Sequence, residues 1–444
     1  MTTETAHHLT RSHEPATLAD IRTDIGVLRD LTLKTLYYRS RMTRTELSDS
    51  LKLSGSIIDE LMQSLSQDGL STLLGASGSS SAGYVYALTQ KGLDRAETAR
   101  ARSGYVGPAP VSLEEYAAEV HASTMDRDDV TRAAIVAALS PLVLSDETAA
   151  RIGRAATSRR STLLYGASGN GKTTAVRRVG EAIGGSIRVP YAIEFLGQII
   201  HLFDASKHQP VAPDAPNTNE PDLLKARPDG RWVEIRRPVI WVGGELTRQS
   251  LELVYDDDTK VYEAPLQLKA NGGTLIIDDF GRQQMPAVQL LNRWIVALEG
   301  GVDHLTMHTG QLIEVPFDVL VLFSTNLSPE RLADEAFLRR IRYKIEIPNP
   351  TRDEYITIFR HACDNGGVPF DQAALDHLFQ HWYDGHPREL RGCHPRDIIE
   401  AVIDASMFDG RPPALSPELI DEVCTTYFLR PGNAPDEHGP SELR

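Results

Sequence analysis

Cysteine is scarce and long apolar runs are missing. The 444 residues include three cysteines, Cys363, Cys393 and Cys424, with no CxxC pair among them. That odd number argues against a disulfide framework and for a reducing compartment, so a cytoplasmic setting is expected. The longest apolar run, Ala133 to Leu139, is far too short to span a bilayer, and no membrane insertion is expected. The opening residues, MTTETAHHLTRSHEP, have no apolar stretch behind their charges and do not read as a secretory signal. Positive charge is in deficit too: 46 Lys and Arg face 61 Asp and Glu, a net charge of −15. Such a chain is no general polyanion binder, and any nucleic-acid contact must come from a local basic patch. Internal repeats and long low-complexity tracts are absent. The hydrophobic share of 41% and the charged share of 24% are ordinary, which excludes wholesale disorder and a collagen-like fibre. At about 150 residues per domain, the length allows roughly three domains.

The composition shifts along the chain suggest where those domains lie. Residues 1–20 read as a loose polar tail, and 21–104 as a first module of helical, then strand-like, then helical periodicity. The Gly/Pro-rich stretch Ser103 to Ser112 (SGYVGPAPVS) reads as a linker, the first part of a connecting region of helices over 105–143. Between Arg159 and Ile347 short β-favouring runs alternate with helical segments, the mark of a mostly parallel sheet flanked by helices. The runs are Thr162–Tyr165, Val239–Val242, Thr274–Ile277, Val319–Ser324 and Ile341–Ile347. The segment Ala205 to Gly230, dense in Pro, Asp and Asn, is expected to be an exposed loop. The expected α/β domain spans 144–348. An all-helical region follows over 349–429, and 430–444 are expected to be disordered.

Directly after Thr162–Tyr165 comes Gly166-Ala167-Ser168-Gly169-Asn170-Gly171-Lys172-Thr173, then a helical stretch from Thr174 to Ile183. This is G-x-x-x-x-G-K-[ST] in its required strand-to-helix setting. Glycines let the backbone N–H groups turn inward, and the helix N-terminus adds positive potential for phosphates. Lys172 is placed to reach the β- and γ-phosphates of a nucleotide and the Thr173 hydroxyl to ligate Mg2+. A chance Gly-rich turn matching this pattern somewhere in the chain is on the order of one in a hundred. Farther on, Thr274-Leu-Ile-Ile-Asp278-Asp279 is a β-favouring run ending in two carboxylates. In an alternating α/β chain this delivers Asp278 beside the phosphate loop to hold Mg2+, with Asp279 free to polarise the attacking water.

The phosphate loop, the ANGGTLIIDDFGR segment, the FSTN run ending in Asn326, EAFLRRIR and HPRD stand in the order found in AAA+ ATPases. The resemblance covers about Leu144 to Phe428. It implies a P-loop NTPase sheet with a helical lid, ATP and Mg2+ as ligands, and ATP hydrolysis at subunit interfaces of a ring, a hexamer by the family's habit. By matching position, Asn326 resembles the sensor 1 residue, Arg339 and Arg340 resemble arginine-finger candidates, and Arg396 resembles sensor 2. The phosphate-binding set then comprises Gly166 through Thr174 together with Arg396. Where many relatives carry Asp-Glu this chain has Asp278-Asp279, a pair also used by replication-initiator and helicase-loader relatives. His304 to Val315 alternates on both sides of Thr309-Gly310 and predicts a β-hairpin. A hairpin before sensor 1 resembles the branch of enhancer-binding activators, MoxR-like chaperones and minichromosome maintenance helicases, in which it engages substrate or neighbouring subunits. His304 and His308 share a strand face, yet no Cys or carboxylate completes a zinc site.

The first module reads as helices over Ile25–Tyr38, Arg44–Leu51 and Gly55–Gln67, then a hairpin around GASGSSSAG and a last helix. The order resembles a winged helix-turn-helix, as in bacterial transcription regulators. The would-be recognition helix has no Lys or Arg and carries Asp59 and Glu60, with Asp68 at its end. Positive charge lies at Arg39, Arg41 and Arg44 instead. DNA contact is therefore disfavoured against a protein-docking role. Two functions from different classes remain: an ATPase that remodels or assembles a protein client, and a DNA-directed ATPase of transcription, replication or transposition. A slow nucleotide-gated switch is a weaker third. The absence of a GAFTGA-type loop weakens the activator reading.

Overall fold

The computed structural model describes residues 14–76, 83–124, 130–212, 228–332 and 335–428. In the first module, Asp24 caps α1 (Ile25–Arg39) by accepting from the N–H groups of Gly26 and Val27. A strand β1 (Arg41–Thr43) leads into α2 (Arg44–Leu51), which opens on a Thr43/Glu46 capping box. The next helix, α3 (Gly55–Gln67), buries Ile57, Ile58, Leu61, Met62 and Leu65 as one apolar stripe. The strands β2 (Ser71–Ala76) and β3 (Tyr84–Leu88) complete an antiparallel sheet of order β1-β3-β2, and α4 (Gln90–Arg102) packs on α1. Most of the Gly/Ser loop between β2 and β3 lies outside the described residues.

The chain continues through β4 (Val111–Ser112), α5 (Leu113–Ala122), α6 (Arg132–Leu139) and α7 (Asp146–Thr157) to β5 (Thr162–Tyr165) and α8 (Lys172–Glu181). Four strands follow: β6 (Ser186–Pro190), β7 (Ala192–Phe195), β8 (Gln198–His201) and β9 (Trp232–Arg236). Next come β10 (Val239–Val242), β11 (Val254–Asp256), β12 (Val261–Glu263), α9 (Leu266–Lys269) and β13 (Thr274–Ile277). Helices α10 (Ala287–Arg293) and α11 (Ile295–Gly300) precede the hairpin β14 (Val302–Thr306) and β15 (Leu312–Pro316). Then come β16 (Leu320–Thr325), α12 (Pro329–Leu332), α13 (Glu335–Leu338) and β17 (Tyr343–Glu346). The lid is α14 (Arg352–Gly366), α15 (Gln372–Leu378), α16 (His394–Phe408) and α17 (Pro417–Tyr427).

Five strands form an all-parallel sheet of order β10-β13-β16-β5-β17, with Ile277 opposite Phe323 and Tyr165 between Thr325 and Glu346. A parallel sheet is covered on both faces, which is why its strands read as unbroken apolar runs rather than alternating ones. Val176 and Val179 of α8 cover one face against Leu164, Ile276 and Leu322. Leu290, Leu291 and Trp294 cover the other against Leu275, Ile277 and Phe323. The lid has its own core around Tyr355, Phe359, Phe379, Ile398, Val402 and Ile420. This is the P-loop NTPase sheet with a helical lid that the AAA+ resemblance implied, preceded by an α+β module.

A second sheet was not legible in the sequence. Its order is β11-β12-β8-β7-β4, and a separate antiparallel ribbon pairs β6 with β9. The described ends of the Ala205–Gly230 segment join this ribbon: Val211 N–H bonds Glu234 O, and Trp232 N–H bonds Asp229 O. Residues 213–227 lie outside the described residues. The expected hairpin is present as β14 and β15, with Leu305, Met307, Ile313 and Val315 buried against Tyr116, Ile193, Ile200 and Tyr262. At its tip, the His308 ring stacks on Tyr255 with centroids 3.9 Å apart. The inner face of the hairpin is thereby committed within the chain, and its outer face, with His304, Leu312 and Glu314, remains exposed together with the tip.

The stretch read as a linker is held on both sides. Ala109 N–H bonds Leu51 O at 2.7 Å, Thr23 Oγ1 donates to Pro110 O at 2.8 Å, and Gly104 N–H reaches Thr259 O at 2.6 Å. Lys34 Nζ donates to Ser103 O at 2.8 Å, and burial pulls its pKa down to about 8. Among the described residues, no helix is long and apolar enough to cross a membrane. The β6–β9 ribbon is also pinned to α5 by charge. Arg231, 2% exposed, is held by Asp229 and Glu115, and Arg188 grips Glu119 through two hydrogen bonds with both side chains about nine-tenths buried. Removing one partner of such a pair leaves a buried charge uncompensated. We therefore expect Glu119→Ala to lower stability by about 3–5 kcal/mol in urea unfolding at pH 7. A loss no larger than that of an exposed pair would show that solvent reaches Arg188.

Candidate nucleotide site

The loop after β5 curls as its sequence requires. Gly166 and Gly169 have φ of +135° and +85°, and each also meets a close neighbour. A Cβ at Gly166 would collide with the Ile347 carbonyl, and one at Gly169 with the Cys393 thiol of the lid. Helix α8 starts at Lys172, so its free N–H groups face the loop and favour an anion. Lys172 Nζ donates to Ala167 O at 2.8 Å. Burial pushes the pKa of this ammonium down, and the carboxylates of Asp278 and Asp279 oppose the shift.

Beneath the loop, one carboxylate oxygen collects three donors. Asp278 Oδ1 accepts from Thr173 Oγ1 at 3.0 Å, from Ser324 Oγ, and from the N–H of Asp279 at 3.0 Å. Thr173 and Asp278 are thus in direct contact, as shared ligation of one cation would need. Among the described residues, no group of three or more His, Cys, Asp or Glu could hold a metal. One hydroxyl and one carboxylate fit Mg2+, which keeps several waters and is bound together with substrate phosphates. Asp279 sits at φ +49° and is exposed toward the cleft. Asn326 faces the same cleft with its buried Oδ1 lacking a hydrogen-bond partner, an acceptor left open for a ligand or water.

A cavity of about 710 Å³ joins these groups. Ser168, Gly169, Asn170, Gly171, Lys172, Thr173 and Thr174 line it, with Asp279, Asn326 and Arg396. Gly166, Ala167 and Asp278 are not part of that lining. The Arg396 guanidinium is mostly exposed and held by Asp397 at 2.8 Å. Arg339 and Arg340 do not line the cavity. Arg339 is exposed, and Arg340 pairs with Glu299 while its carbonyl accepts from Ser161 Oγ. Sequence reasoning passed over Ser324, although its place two residues before Asn326 on one strand puts both on the same sheet face. The apolar walls, Leu142 and Leu144 on one side and Ile358, Ile399 and Ile403 of the lid on the other, were also missed, since no local motif marks them.

Fold and loop together define a P-loop NTPase type of architecture. A family model described as a domain of unknown function (DUF8689) matches residues 351–426, the helical lid. No curated protein matches the chain. Among solved structures, NtrX from Brucella abortus in complex with ATP is similar over 64% of this chain and 56% of that one, at 16% identity and a TM-score of 0.39. The same protein in complex with ADP gives 66% and 56%, 16% identity and 0.39. The Thermotoga maritima RuvB Holliday junction branch migration motor gives 64% and 69%, at 13% identity and 0.36. The chain thus spans little more than half the length of NtrX. At these scores the likenesses lend no weight to any residue's role.

The backbone of Asp279 offers a test of the site. A left-handed residue other than Gly is strained by about 1–2 kcal/mol, and Asp is among the few that tolerate it. We expect Asp279→Glu to lower stability by about 1 kcal/mol, and Asp279→Gly to leave it unchanged or raised. Equal unfolding free energies for all three chains would exclude the left-handed turn.

Proposed function

We propose that the chain binds MgATP in the cleft between the phosphate loop and the lid, and hydrolyses it within an assembly of its own copies. The observation that carries this reading is the meeting of Thr173, Ser324 and Asp279 at one oxygen of Asp278, directly under the loop that presents Lys172. The loop N–H groups and the Lys172 ammonium, released from the Ala167 carbonyl, hold the β- and γ-phosphates. Thr173 and Asp278 would hold Mg2+, which neutralises charge building on the phosphate oxygens. Asp279 orients a water and accepts its proton as the water oxygen bonds to the γ-phosphorus. The bond from that phosphorus to the β-bridging oxygen breaks, giving ADP and phosphate. Asn326 fixes the attacking water by accepting from it at the Oδ1 that otherwise lacks a partner, and Arg396 closes on the phosphates from the lid.

Arg339 and Arg340 lie away from this cleft, which supports their service to a neighbouring copy in a ring. The work done by turnover is read as remodelling or assembly of a protein client. The first module supports docking over DNA reading. Arg44 is spent on Asp59 at 2.8 Å and on the Gly55 carbonyl. Ser54 and Ser56, at the start of α3, donate to the carbonyls of Pro15 and Ala16, so the chain's own segment lies where a groove-reading helix must be open. Arg39 and Arg41 remain exposed and are the cations left for a weak DNA contact. A slow nucleotide-gated switch would share the same cleft.

Two measurements test the proposal. Hydrogen bonds to a charged group contribute about 1.5–3 kcal/mol. Lys172→Ala should accordingly weaken ATP binding by about 10- to 100-fold in calorimetry, whereas Asp279→Asn should keep binding and lose steady-state hydrolysis. Normal turnover in the Asp279 variant would remove it from the water-activating role.

The second measurement mixes subunits. A finger supplied by a neighbour can be worth ~10³–10⁵ in turnover. Lys172→Ala subunits combined with Arg339→Ala/Arg340→Ala subunits should therefore regain hydrolysis that neither shows alone. No recovery in mixtures that demonstrably co-assemble would count against a shared site.

A further inference from the structure

The side chain of Asn170, inside the phosphate loop, points away from the phosphates and into the junction between core and lid. It is 8% exposed, and all three of its strongest bonds leave the loop. Its Nδ2 donates to Pro348 O at 3.2 Å and to Asn349 Oδ1 at 2.8 Å, while its Oδ1 accepts the Gly392 N–H at 3.1 Å. Pro348 and Asn349 join the last sheet strand, β17, to the first lid helix, α14, so they form the hinge. Gly392 lies just before α16, the helix that brings Arg396 to the cleft. The contact is too close for bulk on either side: a Cβ at Gly392 would sit 3.2 Å from Gly169 O. Asn349 extends the chain outward, donating to Glu389 Oε2 at 3.0 Å, which also receives Arg391. Asn349, Glu389 and Pro348 are not part of the cleft lining.

We propose that Asn170, through Asn349 and Gly392, is a positioning residue that latches the lid to the phosphate loop and so holds Arg396 over the γ-phosphate site. The inference rests on nucleotide binding at this cleft and deepens it. A single amide spans loop, hinge and lid. Any shift of the loop on phosphate binding is passed to the hinge and to the start of α16, and a lid swung open must break bonds made by the loop itself. Pre-assembled in this way, the closed arrangement is more populated before nucleotide arrives, and apparent affinity rises by that fraction.

The test works from the outer residues, which leave the phosphate contacts intact. Asn349→Leu removes both the acceptor for Asn170 and the donor to Glu389, whereas Asn349→Asp with Glu389→Gln keeps an acceptor for Asn170 and restores a donor–acceptor pair with residue 389. ATP affinity and turnover are measured on the full chain by calorimetry and steady-state assay. We expect the single variant to bind ATP about 3- to 10-fold more weakly, the size of one or two net hydrogen bonds, and the double variant to return to within about 2-fold of the unaltered chain. In an Arg396→Ala background, Asn349→Leu should cost almost nothing more, because its effect runs through that arginine. A merely structural role would instead give additive losses, which would overturn the latch. Equal affinity in the single variant and the unaltered chain would overturn it too, leaving the nucleotide reading standing. Failure of the unaltered chain to bind ATP would overturn both.

Discussion

One carboxylate oxygen fixes the geometry of the core. Asp278 Oδ1 receives the Thr173 hydroxyl from α8, the Ser324 hydroxyl from β16 and the N–H of Asp279 from the turn after its own strand. These donors come from segments far apart in sequence, so the bonds lock a helix and two neighbouring strands at the edge where the phosphates would lie. Such a site is stiff at its base. Motion is left to what surrounds it, above all the lid, whose core is separate. Stiffness at the base is also what preorganised electrostatics demands, since donors aimed in advance need not reorganise as charge moves.

What could be read from the sequence follows from how local the signal is. The phosphate loop is contiguous, its glycines are required by φ and by close neighbours, and it was legible to the residue. Asp278 was legible because a buried parallel strand appears as an uninterrupted apolar run whose last residues fall at one edge, whereas Asn326 was marked only by the AAA+ resemblance. Ser324 was within the same run, yet nothing distinguished it until its hydroxyl was seen on Asp278. The second sheet escaped because its strands are two to four residues long and too short to show a period. Its pairings are also distant: Val111 pairs with Ile193, and Tyr262 with Ile200. The hairpin announced itself by alternation, but where its apolar face would be buried depended on partners no window of sequence contains.

The first module repeats the lesson with charges. Its order of helices and strands was legible, since capping residues such as Thr43 with Glu46 and the apolar stripe of α3 are local. The use made of Arg44 was not. As a sequence it is one of three clustered cations; as a structure it closes a pair with Asp59 and a backbone carbonyl, and it is no longer available to a phosphate. A likeness of element order therefore says little about what a surface binds.

The second core also sets a schedule for synthesis. Its residues come from 111–120, 187–202, 235–268 and 305–315, so it stays incomplete until the hairpin has left the ribosome. The core of the first module is complete with Ala109, more than two hundred residues earlier. At about 5–20 residues per second, roughly 10–40 s pass between the two events. Through that interval β7, β8 and β12 emerge without the β14–β15 face that covers them, presenting apolar surface and open strand edges to solvent and to other nascent chains. A chain built this way benefits from a holding chaperone during translation, and slower decoding before residue 300 would lengthen its exposure.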